Sequence, residues 1–467
     1  MTRAVRLAAL FALIALWPAI VSGGALWFPD LAPYVRGGHV AFETVGGLIG
    51  GGGEASASTN AATGGMAAGA TAQISGVRSV AYSVLAYLAG LGAPRFWLLA
   101  ALQAGAAGAL LAALIRAWGG PTPVYAVLFA LGGGPVFAST AGPDVWAGLM
   151  LLGAVVLAAS RESWARWTAA GVIAFAVAAH ASHVPLGLGL ALVAFASPPL
   201  VWPPLVWPPR RVPWRARIVP AAPLAASVAA GLCAVLATSL VGFGQASLVP
   251  ARYPIVLARG IEDGPALWHL EARCETYAYA VCEVFPDAIP DNVGDFLWNE
   301  GGVRDRATPA QLARIRAEEA VILRRAGTEY PWFQVRRSAW NVLRQAGMVA
   351  QAPALGRVAA YEGEGRAVQR GGASGRTGVL AALQGLAFAA PLALLAGCLA
   401  LAALGLRVVR MDALAWSVLA LTVLGLLGNA AICGALSVPE ARYQARIAWV
   451  LPLVAAGVLA RARKASA

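Results

Sequence analysis

Residues 96–118 read FWLLAALQAGAAGALLAALIRAW, a run with no acidic residue and a single arginine, Arg116, near its end. An α-helix needs about 20 mostly apolar residues to cross a bilayer, and this stretch supplies them without a break. Working outward, the same reading finds candidate spans near 5–27, 121–140, 143–160, 166–182, 184–206, 218–242, 377–403, 411–435 and 446–460, about ten in all. The apolar stretch at 80–93 (VAYSVLAYLAGLGA) is shorter and bounded by Arg78 and Arg95. It reads as a helix lying along the membrane interface, with a short additional span as the alternative.

Composition points the same way. Of 467 residues, 59% are hydrophobic and 12% charged, and the mean hydropathy is +0.68. Soluble domains carry about 25% charged residues, so a soluble enzyme, a disordered chain and an ordinary nucleic-acid binder are excluded. The formal charge of +13, from 35 Lys+Arg against 22 Asp+Glu, does not call for nucleic acid. Its basic residues sit in short clusters between apolar runs, as membrane topology requires.

Lys and Arg accumulate in short cytoplasmic loops. With the N-terminus inside, those loops hold Arg3 and Arg6, Arg116, Arg161 and Arg166, Arg210, Arg211, Arg215 and Arg217, Arg407 and Arg410, then Arg461, Arg463 and Lys464. The short loops near 141 and 183 on the opposite side hold no Lys or Arg. Both termini are therefore expected in the cytoplasm. The N-terminus also resembles a cleavable signal peptide; a retained span is preferred because the residues after it belong to the candidate site.

The expected fold is an all-α polytopic membrane protein with a mostly helical extracytoplasmic insert. Residues 1–244 form a membrane region of about seven spans, whose first outer loop (28–95) contains a Gly/Ala/Ser-rich stretch at 46–73 read as a flexible loop. Residues 245–376 form the outward insert, which holds fifteen of the acidic residues, from Glu262 to Glu364. Residues 377–467 add about three spans. Within the insert, Thr308-Pro309 supplies a cap and first-turn proline for a helix over 308–326, and a second helix is expected over 331–347. Trp268, Trp298, Trp332 and Trp340 read as insert core, with service to a glycan or partner as the alternative. Cys274 and Cys282 lie on the oxidising side and are expected to pair, while Cys233, Cys398 and Cys433 read as packing residues within spans.

Ionisable residues beside spans are costly and therefore informative. Asp30 follows the first span (ALWFPDLAPYVRGGH), and Asp144 opens the fourth (STAGPDVWAGL). His180 and His183 end the fifth on the same side, and Glu440 precedes Arg442, Tyr443 and Arg446 in the last outward loop (SVPEARYQARIAWVLP). Asp144 could simply cap a helix, and the histidines could be satisfied by backbone. Arg442 and Arg446, four apart, share one helix face. Positive charge on the outer side breaks the bias obeyed elsewhere, and guanidinium forks suit an anionic phosphate.

These segments resemble the GT-C glycosyltransferase superfamily, whose members include protein O-mannosyltransferases and aminoarabinose transferases. The resemblance is carried by FPDLAPYVRGG, by RSVAYSVLAYLAGLGAPRFWLLAALQAGAAGALLAALIRAW, by GPDVWAGLMLL and by SVPEARYQARIAWVLPLVAAG. GPDVWAGL and AHASHVPLGL look like a bacterial branch with a large outer insert. The likeness covers the membrane part, about 1–245 and 377–460. It implies transfer of a sugar from a polyprenyl-phosphate-linked donor at the periplasmic face of the bacterial inner membrane. Asp30 and Asp144 would be the catalytic acids. Arg442, Arg446, Tyr443, His180, His183 and Arg78 would bind substrate, and a divalent cation (Mg or Mn) is a possible cofactor. The first outer loop departs from the pattern in its glycine and alanine content. Two other classes stay open: a transporter or flippase of a lipid-linked or anionic substrate, and a non-catalytic envelope-assembly protein. The acceptor is unassigned.

Overall fold

Thr2 caps the first helix, α1 (Arg3–Ser22), by accepting a hydrogen bond from Val5 N, and left-handed Gly23 ends it. The computed structural model describes residues 2–28, 30–49, 78–200, 214–243, 246–248, 253–350, 357–362, 366–371 and 412–466. After α1 come α2 (Leu31–Ile49), α3 (Val80–Gly92), α4 (Trp97–Trp118), α5 (Thr122–Leu131) and α6 (Gly134–Ala138). The chain continues through α7 (Val145–Ala159), α8 (Ser163–Ala179), α9 (His183–Leu200) and α10 (Trp214–Phe243). Behind the insert, α17 (Ala413–Leu436), α18 (Ala441–Ala448) and α19 (Val450–Ser466) complete the bundle.

Five helices among the described residues are long and apolar enough to cross a membrane: Arg3–Ser22, Trp97–Trp118, Ala221–Val241, Leu414–Leu436 and Ala441–Ala462. Apolar helices α3, α5, α7 and α9 are shorter. The chain is a predominantly α-helical membrane protein. The expected span at 121–140 is two helices, because the chain breaks at Gly132–Gly133 between α5 and α6. The span expected at 377–403 lies outside the described residues. The glycine-rich stretch at 46–73 lies mostly outside them too, but its first residues end α2, where a loop was expected.

Small residues bring the helices close. Helix α1 runs along α4, and a Cβ on Gly108 would stand 2.3 Å from Ala8 O and 2.8 Å from Ala12 N. Backbones in a membrane bundle approach this closely only where side chains are absent. Gly108→Val should force α1 off α4 and destabilise the bundle by about 1–3 kcal/mol. The check is thermal melting in detergent; an unchanged midpoint would refute the tight crossing. On the side expected to be cytoplasmic, Arg116 at the end of α4 grips Glu162 at 2.8 Å and 2.9 Å. That hydrogen-bonded guanidinium holds the Glu162 carboxyl below its ordinary range.

The insert has its own apolar core around Leu257, Ile261, Leu270, Phe296, Ile315 and Ile322. It comprises α11 (Ile255–Asp263), α12 (Pro265–Tyr277), α13 (Ala280–Val284), α14 (Val303–Arg306), α15 (Pro309–Glu329) and α16 (Pro331–Gly347). Thr308 and Gln311 form a full capping box at the start of α15, and Cys274 and Cys282 form a disulfide. An antiparallel hairpin follows, β1 (Arg357–Glu362) and β2 (Arg366–Gly371). Trp268 packs on Tyr330 and Phe333, and Trp298 on Tyr253. Trp332 and Trp340 do not enter the core as expected. They are exposed, because α16 turns Asn341 and Gln345 inward instead.

Candidate functional site

The site begins with a short extended segment after α1. Leu26 N donates to Ser139 O at 2.8 Å, Ala141 N to Leu26 O at 2.9 Å, and Ala359 N of β1 to Ala25 O at 2.9 Å. Pinned on both sides, this segment sends Phe28 over Gly142, where any Cβ would meet the ring at 2.7 Å. Asp30 follows at the start of α2. Its Oδ1 accepts a 2.6 Å ion-paired hydrogen bond from Arg78 Nη2. Arg78 is delivered there by a backbone bridge to His180, and its guanidinium lies 6.0 Å from the buried Tyr34 ring. Asp30 Oδ2 has no hydrogen-bond partner among the described residues, and the carboxylate is 37% exposed.

Asp144 is not a helix cap. Its backbone is already helical (φ −60°, ψ −36°), and its side chain makes no capping bond. Its Oδ1 instead accepts from Arg446 Nη1 at 2.9 Å in a buried ion pair. Arg446 Nη2 also donates to Ser182 Oγ at 3.1 Å and Asn429 Oδ1 at 3.3 Å. Asn429 Nδ2 in turn binds Tyr443 O and Gln444 Oε1, tying α17 to α18. The position of a carboxylate at a helix N-terminus adds to its favourable field.

One cavity of about 640 Å³ opens between these elements. Asp30, Tyr34, Arg78, Asp144 and His180 line one part of it, and Glu440, Arg442 and Tyr443 another. Ile432, Leu436 and Val438 add an apolar wall at the end of α17, and Tyr253, Val293 and Trp298 close it from the insert. Arg442 pairs with Glu440 Oε2 at 3.0 Å and reaches across to Phe28, 5.1 Å from the ring centroid. Gln345 of α16 holds the Glu440 backbone at both ends, donating to its O and accepting from its N at 2.9 Å.

The structure thus brings Asp30, Asp144, Arg78, His180, Arg442 and Tyr443 to one cavity. Two expected substrate-binding residues do not line it. Arg446 is fully buried, and its guanidinium is committed to Asp144, Ser182 and Asn429. His183 is fully buried as well, with Nδ1 on Ala176 O at 2.7 Å. Asn429 was missed, although an amide inside an apolar span is itself a signal. A resident divalent cation does not fit this donor set. Among the described residues no three His, Cys, Asp or Glu side chains gather to hold a metal, and Asp30 and Asp144 each spend an oxygen on a guanidinium. No family model matches the chain, and neither a curated protein nor a solved structure matches it.

Proposed function

We propose that the protein transfers a sugar from a polyprenyl-phosphate-linked donor to an acceptor at the extracytoplasmic face of the bacterial inner membrane. In this reading α5, α7, α8 and α9 and the 377–403 stretch bring the total to about ten spans, with α3 along the interface and both termini in the cytoplasm. One observation carries the proposal: a half-exposed carboxylate, Asp30, and a largely enclosed guanidinium, Arg442, face one cavity whose third wall is apolar and lies at the end of a span. A lipid-linked sugar phosphate has those three chemical parts.

The chemistry is a displacement at the anomeric carbon. The acceptor oxygen forms a bond to that carbon and its proton passes to Asp30 Oδ2. The bond from carbon to phosphate oxygen breaks, and its electron pair leaves on polyprenyl phosphate. Charge grows on that phosphate as the bond lengthens, and a fixed cation beside it lowers the barrier. Arg442 suits this task because Phe28 and Tyr443 flank its guanidinium, with ring centroids at 5.1 and 5.0 Å. Asp144 and Arg446 act behind it as positioning residues that fix α18 against α7.

Purified protein in vesicles, supplied with a radiolabelled polyprenyl-phosphate sugar and an envelope extract as acceptor source, should release polyprenyl phosphate and form a labelled covalent product. Arg442→Gln should lower that rate about a hundredfold. Passage of intact donor across the bilayer without cleavage would overturn the proposal in favour of transport.

A further inference from the structure

Helix α16 is built inside out. Its buried side carries Asn341 and Gln345, which serve Asp263 and the Glu440 backbone. Its outer side carries Trp332 (75% exposed), Val335 (60%), Trp340 (59%) and Leu343 (65%). Exposed Arg336, Arg337 and Arg344 stand among and beside them. Positions 332, 335, 339 and 343 recur at helical spacing, so the apolar side chains form one continuous stripe. Such a stripe on a soluble face marks something that covers it.

The helix sits at a defined depth. A Cβ on Gly434 would stand 2.7 Å from Asn341 O and 2.9 Å from Val342 Cα. Helix α16 therefore crosses the span Leu414–Leu436 at its last turn. That is the level at which lipid headgroups lie and tryptophans collect. The same composition on an amphipathic helix, aromatic and aliphatic side chains with long arginines among and beside them, suits a helix lying in the interface plane, since such arginines reach up to the headgroups.

We infer that α16 is an in-plane membrane anchor, with its Trp332, Val335, Trp340 and Leu343 face in the boundary between headgroups and acyl chains. Arg336, Arg337 and Arg344 meet the phosphates of anionic lipids. A second copy of the same face is the poorer occupant, because Arg336 lies within the stripe and would be brought against its own counterpart. The anchor explains how the insert is held over the cavity: the helix that grips the Glu440 backbone is itself fixed to the bilayer surface. It rests on the membrane reading alone and stands whether or not the cavity transfers sugar.

The test uses the full chain with Leu343→Cys, carrying a nitroxide, in a background with Cys233 and Cys398 replaced by alanine. Cys433 is buried and Cys274 and Cys282 are held in their disulfide. In vesicles of phosphatidylethanolamine and phosphatidylglycerol, the label should collide with oxygen severalfold more than with a water-soluble nickel chelate. Collisions dominated by nickel would overturn the anchor, and so would low collision with both reagents, which would mean a protein cover. Replacing Arg336, Arg337 and Arg344 by glutamine should reduce the oxygen preference in these vesicles but not in phosphatidylcholine. An equal effect in both lipids would overturn the assignment to anionic headgroups.

Discussion

Asp30→Asn should lower sugar transfer by ~10²–10⁴-fold while leaving the protein folded in the membrane, the range that a general base contributes. Asparagine keeps the size of the side chain and an oxygen for Arg78, so the 2.6 Å contact can survive as a hydrogen bond from the guanidinium to a neutral acceptor. What it loses is the capacity to take the acceptor proton. Arg78→Gln separates that role from mere positioning. It also breaks the ion pair, but it leaves the carboxylate, so its loss of rate should be much the smaller of the two. Both rates would be read as product formed per minute in vesicles, with melting in detergent as the control for folding. Equal losses in the two variants would make Asp30 a structural partner of Arg78, and full activity in Asp30→Asn would remove it from the mechanism.

The gathering of Asp30, Asp144, His180, Arg442 and Tyr443 around one cavity was readable because membrane sidedness sorts residues by face. Polar groups expected at the same ends of several helices share one layer, and the fold gathers them at one cavity. Depth inside the protein was not readable. Arg442 and Arg446 share a helix face in the sequence, yet one lines the cavity and the other is sealed behind it, and only packing by α7 and α17 separates them. Helix α2 was hidden by its glycines. Gly37 and Gly38 weaken a helix in isolation, but a Cβ on Gly38 would stand 2.1 Å from Ser83 O. Those two glycines therefore serve a close contact between α2 and α3. The tryptophans of α16 failed for a third reason. Assigning them to a core assumes water outside, an assumption that the proposed in-plane position of α16 removes.

Arg446→Met should be among the most damaging substitutions in the chain, destabilising it by about 3–5 kcal/mol. The guanidinium is fully buried and holds Asp144 at 2.9 Å, so its removal leaves an uncompensated carboxylate whose side chain is only 6% exposed. Asp144→Leu should do comparable harm by stranding the arginine, whose Nε already lacks a partner among the described residues. The double variant Asp144→Leu/Arg446→Met removes both charges and fills their space with apolar atoms. It should recover most of the lost stability, because a buried pair contributes little against a hydrophobic replacement. Unfolding midpoints of the four proteins in a denaturing-detergent titration measure the coupling, and additive losses would show that the two charges do not depend on each other. The double variant then separates structure from chemistry. Stable but inactive protein would mean that transfer needs the charged pair itself, at the cavity or to place Arg442, whereas stable and active protein would confine the pair to a structural role that apolar packing can replace.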